Sequence, residues 1–257
     1  MGQLAAATTA PDQIEYLDMA AGTAVGLDYK QRFLAALDVR SDHAAVDIGC
    51  GPGTDLGRMA DAVGTGGTVT AVDHDPRMLA EARRRYADRA NVDVLAGDIH
   101  DLPLADGSVD RARVDRVLQH VLDPAKALAE VRRVLRPGGL FGMAEPDWDT
   151  LAVADEDVQT SRRLADFVAS RVRNATIGRE LVQLCGQAGL RVRSVEPIAV
   201  LFRDFDTADQ VLGLRRNAAR AVQAGQLAGP RAEAWVQRLA SGPVVAGFTF
   251  YLVIAEA

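Results

Sequence analysis

Lysine is nearly missing from this chain: of 29 basic residues among 257, only Lys30 and Lys126 are not arginine. Cysteine is scarce too. Cys50 and Cys185 show no paired spacing, which argues against a disulfide scaffold or a cysteine zinc site and fits reduced thiols in a reducing compartment. No apolar run approaches the roughly 20 residues that a membrane-spanning helix needs, and the most apolar stretch is Phe248 to Ala255. The opening residues, MGQLAAATTAPDQ, carry no basic leader ahead of an apolar segment, and Ala6 stands where a myristoylation signal has Ser or Thr. A cytoplasmic protein with no membrane partner is therefore expected. Excess positive charge is also lacking, and the formal net charge of −6 argues against a nucleic-acid surface. His43, His74, His100 and His120 show no metal-ligand spacing, so no metal is expected.

What is present is an ordinary globular balance, 48% hydrophobic and 25% charged, in a chain long enough to bury a substantial core. From Asp42 to Glu145 short apolar runs alternate with segments of helical period, the sign of a parallel sheet with crossover helices. The pattern predicts strands at Ala44 to Ile48, Gly67 to Val72, Val92 to Leu95, Val109 to Val114 and Gly139 to Ala144. Helices are predicted at Thr54 to Val63, Pro76 to Ala87 and Pro124 to Leu135, the last two opening on proline. Farther on, Asp155 to Val172, Gly178 to Ala188, Asp206 to Gln223 and Gly229 to Leu239 read as helices, Arg191 to Leu201 and Val244 to Glu256 as strands. No linker divides the halves. The expectation is one domain over 1–257, with a core of about 28–147, 178–205 and 242–257 and a helical cap of about 148–177 and 206–241.

The informative segment is VDIGCGPGTD, Val46 to Asp55, where an apolar strand ends in Gly49, Gly51 and Gly53 and runs into a helix. Such a turn brings bare backbone close to a ligand and aims unpaired N–H groups at it, implying a nucleotide-like cofactor. The dinucleotide fingerprint places its third glycine where this chain has Thr54. Further on come VTAVDHDPRML with Asp73, then AGD with Asp98, LPLADGSVD, and VLQHVLDPAKALAEVRRVLRPGGLF. In order and spacing from about Asp42 to Phe141, these segments resemble the class I S-adenosylmethionine-dependent methyltransferases. The closest likeness is to their small-molecule branch, which includes the ubiquinone-biosynthesis type.

The resemblance implies a Rossmann-like α/β fold: a seven-stranded, mostly parallel sheet with helices on both faces and an antiparallel last strand. It implies S-adenosyl-L-methionine as cofactor, and an N-terminal lid at about 11–27 in which Tyr16 is a candidate to hydrogen-bond the methionine carboxylate and reads equally well as a surface or cap-packing tyrosine. An acid about 20 residues past a glycine loop takes both ribose hydroxyls, which selects Asp73; the plainer alternative is a helix cap ahead of Pro76. Asp98 is placed to accept the adenine amino group, with the backbone of Ile99 beside it. His74 and Met78 are candidates to flank the ring, although Met78 reads equally well as core. Asp47 lies under the loop, facing the cofactor's ammonium or holding the turn.

Methyl transfer from a sulfonium needs alignment above all, so few residues must be catalytic. His120, after the fourth strand, is the first candidate for a general base, and closing the strand-to-helix turn is its plainer reading. His100 reads as a solvent-edge or adenine-side residue. Glu145 and Asp147, in AEPDWDT after the fifth strand, face the ligand crevice by topology and are the second catalytic candidates; Trp148 turns the chain into the cap. Arg171, Arg173, Asn174, Arg215, Arg216 and Asn217 in the cap read first as solvated helix faces and second as holders of an acceptor carboxylate or phosphate. Methyl transfer to a small molecule, aromatic or secondary-metabolite-like, at oxygen, carbon or nitrogen, by a monomer or homodimer, is the expected function. The rivals are an enzyme of this fold that uses the bound cofactor for a non-methylating reaction, and an NAD-dependent oxidoreductase.

Overall fold

Apolar runs too short to make helices pair into a sheet, and the order of pairing fixes where the strand ends converge. The computed structural model describes residues 10–257, which leaves Ala6 outside the described residues. Its strands are β1 (Ala44–Ile48), β2 (Thr68–Asp73), β3 (Val92–Ala96), β4 (Val109–Asp115), β5 (Leu135–Val153), β6 (Arg191–Phe202) and β7 (Ala246–Glu256). They form one seven-stranded sheet in the order β3-β2-β1-β4-β5-β7-β6. Neighbours from β3 to β5 are parallel, and β7 runs antiparallel to both β5 and β6. The order reverses between β1 and β4, and in open α/β sheets ligands bind outside the carboxyl ends at that point.

Ten helices occur among the described residues: α1 (Gln13–Gly22), α2 (Ala24–Leu37), α3 (Leu56–Val63), α4 (Pro76–Arg85), α5 (Pro124–Val134), α6 (Val158–Ser170), α7 (Ile177–Gln187), α8 (Phe205–Leu212), α9 (Leu214–Gln223) and α10 (Gly229–Ser241). α4 and α5 begin on proline behind an aspartate cap, Asp75 accepting from the Arg77 N–H at 2.8 Å and Asp123 from that of Lys126 at 3.0 Å. Helices cover both faces. Alternate residues of β7 divide between two cores: Val253 and Ala255 pack with α5 and α7, while Leu252 and Ile254 pack with α2 and the cap. The cap centres on Trp235, fully buried, whose indole N–H donates to Ser161 Oγ at 3.0 Å. A side chain of that size contributes roughly 1.5–3 kcal/mol by leaving water.

Three local expectations change. The helix read over Asp206 to Gln223 is two, α8 and α9, separated at Gly213, whose φ of +62° breaks the turn. The helix read from Thr54 starts at Leu56 because the glycine turn extends to Asp55. The strand read as Gly139 to Ala144 is β5, 19 residues long, so Trp148 to Val153 continue the sheet where a cap boundary was expected. β7 pulls them in: after a bulge past Asp147 the pairing resumes at Ala152 with Gly247.

α1 bridges the halves. Leu17 lies over the glycine loop, 3.3 Å from where a Cβ on Gly51 would stand. Asp12 pairs with Arg77 at 2.7 Å and Asp18 with Arg85 at 2.6 Å, both across to α4. On the other side, the Tyr16 hydroxyl donates to the Val211 carbonyl of α8 at 3.2 Å.

Candidate active site

The loop after β1 is held closed from within. The N–H groups of Gly49 and Cys50 both donate to the Val72 carbonyl of β2, at 2.7 and 3.1 Å, and that of Gly53 donates to the Cys50 carbonyl. Gly49 has φ +71°, and a Cβ there would meet Val117 at 2.4 Å, so the loop passes against the β4 edge with no room for a side chain. Tyr86 of the α4 end pins the far side, donating to the Gly53 carbonyl at 2.7 Å and accepting from the Gly57 N–H at 3.0 Å. The expected row of free N–H groups is therefore largely absent, because β2 and the loop itself already bind them. A pyrophosphate cradle requires those donors; a phosphate-free cofactor does not.

Asp73 ends β2 with one carboxylate oxygen on the Gly51 N–H at 2.8 Å and the other on the Asp75 N–H at 2.9 Å. The helix cap is Asp75, so Asp73 is free of that duty. It is 8% exposed, between the loop and the start of α4. At the β3 edge, Asp98 is exposed, with Oδ1 receiving both the His100 N–H at 2.8 Å and the ring Nδ1 at 2.5 Å. Those contacts hold its carboxyl below the usual range. His100 Nε2 accepts from the Asp123 N–H at 3.3 Å, which assigns the ring proton to Nδ1 and ties this edge to α5. Ile99 and Met78 are buried, and the His74 side chain is exposed.

Asp47 departs from expectation. It is 4% exposed beneath the loop, and its nearest cation is Arg113, 3.5 Å away. Burial pushes its carboxyl up to about 6, with Arg113 opposing. It belongs to a buried charge network that links α2, the loop exit and β4. Lys30 contacts Asp55, and it also contacts Asp115 at 2.9 Å. Arg113 contacts Asp55 at 3.1 Å and Asp115 at 2.9 Å and lies over the Phe33 ring. The Tyr29 hydroxyl donates to Asp115 at 3.1 Å. Burial alone would raise Asp55 and Asp115, but Arg113 and Lys30 at the first, and Lys30, Arg116 and Arg113 at the second, outweigh it and both are lowered. The adjoining cavity, about 10 Å³, takes no more than one water.

The loop after β4 is held from two sides. Glu145 Oε1 accepts the N–H groups of Val117 at 2.8 Å and Leu118 at 2.7 Å, and Oε2 accepts that of Gln119 at 3.3 Å. From the cap, Asn174 donates to the carbonyls of Leu118 at 2.7 Å and Val121 at 2.9 Å. Gln119 accepts from the Trp148 indole at 2.8 Å and donates to the Arg116 carbonyl. His120 emerges exposed from this brace. Partial desolvation and the Arg116 cation lower its pKa below 6.5.

Glu145 and Asp147, read from topology as ligand-facing, are both 0% exposed. Glu145 binds the loop, and burial pushes its carboxyl up to about 8. Asp147 is gripped by Arg179 of α7 through Nε and, at 2.6 Å, Nη2. Both lie behind the crevice because neighbouring donors turn them inward. Asn174 is a loop clamp, Arg215 is paired with Asp209 at 2.7 Å, and Asn217 bonds the Leu212 carbonyl at 2.8 Å. Sequence reasoning missed Lys30, Asp55, Arg113, Asp115, Gln119 and Tyr86. Among the described residues no cluster of His, Cys, Asp or Glu could hold a metal ion, and no helix is long and apolar enough to cross a membrane.

A family model described as a methyltransferase domain matches residues 46–143, from the loop strand into β5. Over 248 residues the chain is 51% identical to an uncharacterized 37.1 kDa protein in transposon TN4556 of Streptomyces fradiae, covering 96% of this chain and 72% of that one. It is 34% identical over 125 residues to a demethylmenaquinone methyltransferase of Staphylococcus aureus strain MRSA252, a match over 49% of this chain and 52% of that enzyme. The match thus spans about half the length of that relative. The chain belongs to the class I S-adenosylmethionine-dependent methyltransferases, small-molecule type. The fold agrees: a SAM-dependent methyltransferase structure from Aquifex aeolicus superposes with TM-score 0.60 at 17% identity, covering 97% of this chain and 100% of that one. The methyltransferase's cofactor is S-adenosylmethionine, which carries no phosphate, and a loop whose N–H groups are already bonded internally fits it.

Proposed function

We propose that this enzyme methylates an aromatic or secondary-metabolite-like acceptor bearing an ionisable O–H, N–H or enolic C–H, with His120 as general base. The observation that carries the reading is His120 itself: solvent-reachable, held on a braced loop at the β4 edge, and shifted toward the neutral form a base needs. An aromatic row supports the acceptor class. Trp148 stacks on Phe248 with centroids 4.8 Å apart, Phe250 backs the pair from the core at 6.4 Å, and Trp148 is bonded to the same loop through Gln119.

The bound cofactor supplies the methyl group as an electrophilic sulfonium. In our assignment Asp73 takes the ribose hydroxyls and Asp98 the adenine amino group beside the Ile99 backbone, with His74 and Met78 near the ring. Gly49, Gly51 and Gly53 let the chain pass close, Asp47 lies beneath the loop beside Arg113, and Tyr16 on α1 closes over the top. Glu145 and Asp147 position; they hold the loop and the β5 end. We take the chain as one domain with cap and lid, working in the cytoplasm without nucleic acid, as a monomer or homodimer. The net charge of −6 and the two buried, unpaired cysteines support that setting.

Release of S-adenosylhomocysteine with panels of phenols, enols and amines tests the reading. At least one panel is expected to drive release, and His120→Ala lowers turnover by about 10² while cofactor affinity is kept. The sign of the pH dependence follows from the shift: kcat/KM is flat above neutrality and falls as pH drops below 6.5, where the lowered imidazole protonates. No acceptor-driven release overturns methylation; product formation without it favours the non-methylating rival. Asp73→Ala is expected to weaken cofactor binding at least tenfold, about 1.4 kcal/mol. Asp75→Ala, which removes the true helix cap, costs about 1 kcal/mol of stability and leaves that affinity unchanged. Calorimetry of both variants against wild type decides; equal binding by Asp73→Ala removes the assignment.

A further inference from the structure

Three residues other than glycine have positive φ among the described residues: Asp38 at 53°, Asp42 at 66° and Arg116 at 60°. Aspartate tolerates that region through local hydrogen bonds, and Asp38 and Asp42 lie in turns outside the crevice. Arginine has no such excuse. Arg116 sits where β4 reaches the crevice, its N–H bonded to the Ala144 carbonyl of β5 at 2.8 Å and the next N–H held by Glu145. A strained backbone kept by neighbours on both sides points to what its side chain does.

The guanidinium touches Asp115 through Nε alone, at 3.2 Å. Asp115 also faces Tyr29, Lys30 and Arg113, so Arg116 is one of three cations that share this carboxylate. The two terminal nitrogens of Arg116 take no hydrogen bond or ion pair among the described residues, and neither is a sealed, unsatisfied atom. The side chain is 22% exposed, with Tyr16 of α1 and His120 within electrostatic reach. A planar fork with both ends unoccupied matches a carboxylate.

Strand order says which carboxylate arrives there. With the adenine at β3 through Asp98, the ribose at β2 through Asp73 and the glycine loop at β1, the next strand is β4. We propose that Arg116 binds the α-carboxylate at the methionine end of the cofactor; this rests on the cofactor seat assigned above. Tyr16, whose hydroxyl donates to the α8 backbone, then closes the lid beside that pair instead of being the main carboxylate ligand.

The test compares S-adenosylhomocysteine, which has the carboxylate, with 5′-methylthioadenosine, which lacks it. Arg116→Gln is expected to weaken the first at least tenfold and leave the second within twofold, so that the second also reports an intact site. Arg116→Lys falls between, keeping charge without the fork. Arg116→Gly removes fork and strain together and is expected to give the same split even where the glutamine variant folds poorly. Unchanged S-adenosylhomocysteine binding overturns the proposal, and so does equal weakening of both ligands, which means a loop support only. Failure of the cofactor seat itself reads differently: wild type then binds neither ligand, or Asp73→Ala affects neither.

Discussion

Replacing Arg113 with methionine is expected to lower the unfolding free energy by about 3–5 kcal/mol, and by more at pH 8 than at pH 5. Methionine keeps much of the stem that packs on Phe33, so lost volume is the smaller effect. The charge dominates: Arg113 is 4% exposed and contacts Asp47, Asp55 and Asp115, so its removal strands buried carboxylates. The pH dependence follows from Asp47. Its folded pKa, about 6, already exceeds the ordinary 3.8, and Arg113 is what restrains it. Without that cation it rises further. A group with a raised folded pKa keeps a proton that the unfolded chain gives up, so stability falls as pH rises through the interval between the two values. Removing Arg113 widens the interval, and the penalty grows toward pH 8. Urea unfolding at both pH values measures it, and a loss under about 1 kcal/mol at pH 8 would mean that water reaches the network.

Glu145→Gln is expected to be neutral or destabilising at pH 5 and stabilising at pH 8, the two differing by about 2–4 kcal/mol. Glutamine retains one oxygen for the Val117 and Leu118 N–H groups and gives up the weakest contact, the 3.3 Å bond from Gln119, worth about 1 kcal/mol. Against that loss stands the cost of a wholly buried carboxyl pushed up to about 8. Between its ordinary 4.5 and 8 the folded protein holds a proton that the unfolded chain has released, so wild-type stability declines across that window and the neutral variant escapes the decline. Thermal midpoints from pH 5 to 8 expose the crossover; parallel curves would show that the three N–H donors hold the carboxylate ionised throughout. Because Glu145 braces the loop carrying Arg116 and His120, the same variant is a sensitive probe of how much rigidity that loop requires.

The first half of the sheet was legible because its information is local. Short apolar strands, a glycine turn and proline-led helices each occupy a few consecutive residues from Asp42 to Phe141, and the pattern names them without tertiary knowledge. The charge network was not, since it joins Lys30 to Asp115 across the fold. A signal did exist: β4 reads VDRARVD, with Asp110, Arg111, Arg113 and Asp115 in a strand flanked by β1 and β5, where apolar residues prevail. Glu145 and Asp147 show the opposite limit. Topology correctly put them at the carboxyl edge, but the N–H groups of Val117 and Leu118 and the guanidinium of Arg179 decide which way those carboxylates point. Gly213 likewise ends a helix that periodicity alone carried through.

The length of β5 makes the cap and the sheet one mechanical piece. One strand pairs with β7 from Leu140 beside the core to Val153 beneath the cap, and Leu151, Val153, Phe202 and Ala246 pack into the same cluster as Trp235 and Leu164. The cap is therefore not an exchangeable cassette. A chimera joined at Trp148 splits a hydrogen-bonded ladder and sets one parent's helices on the other's floor.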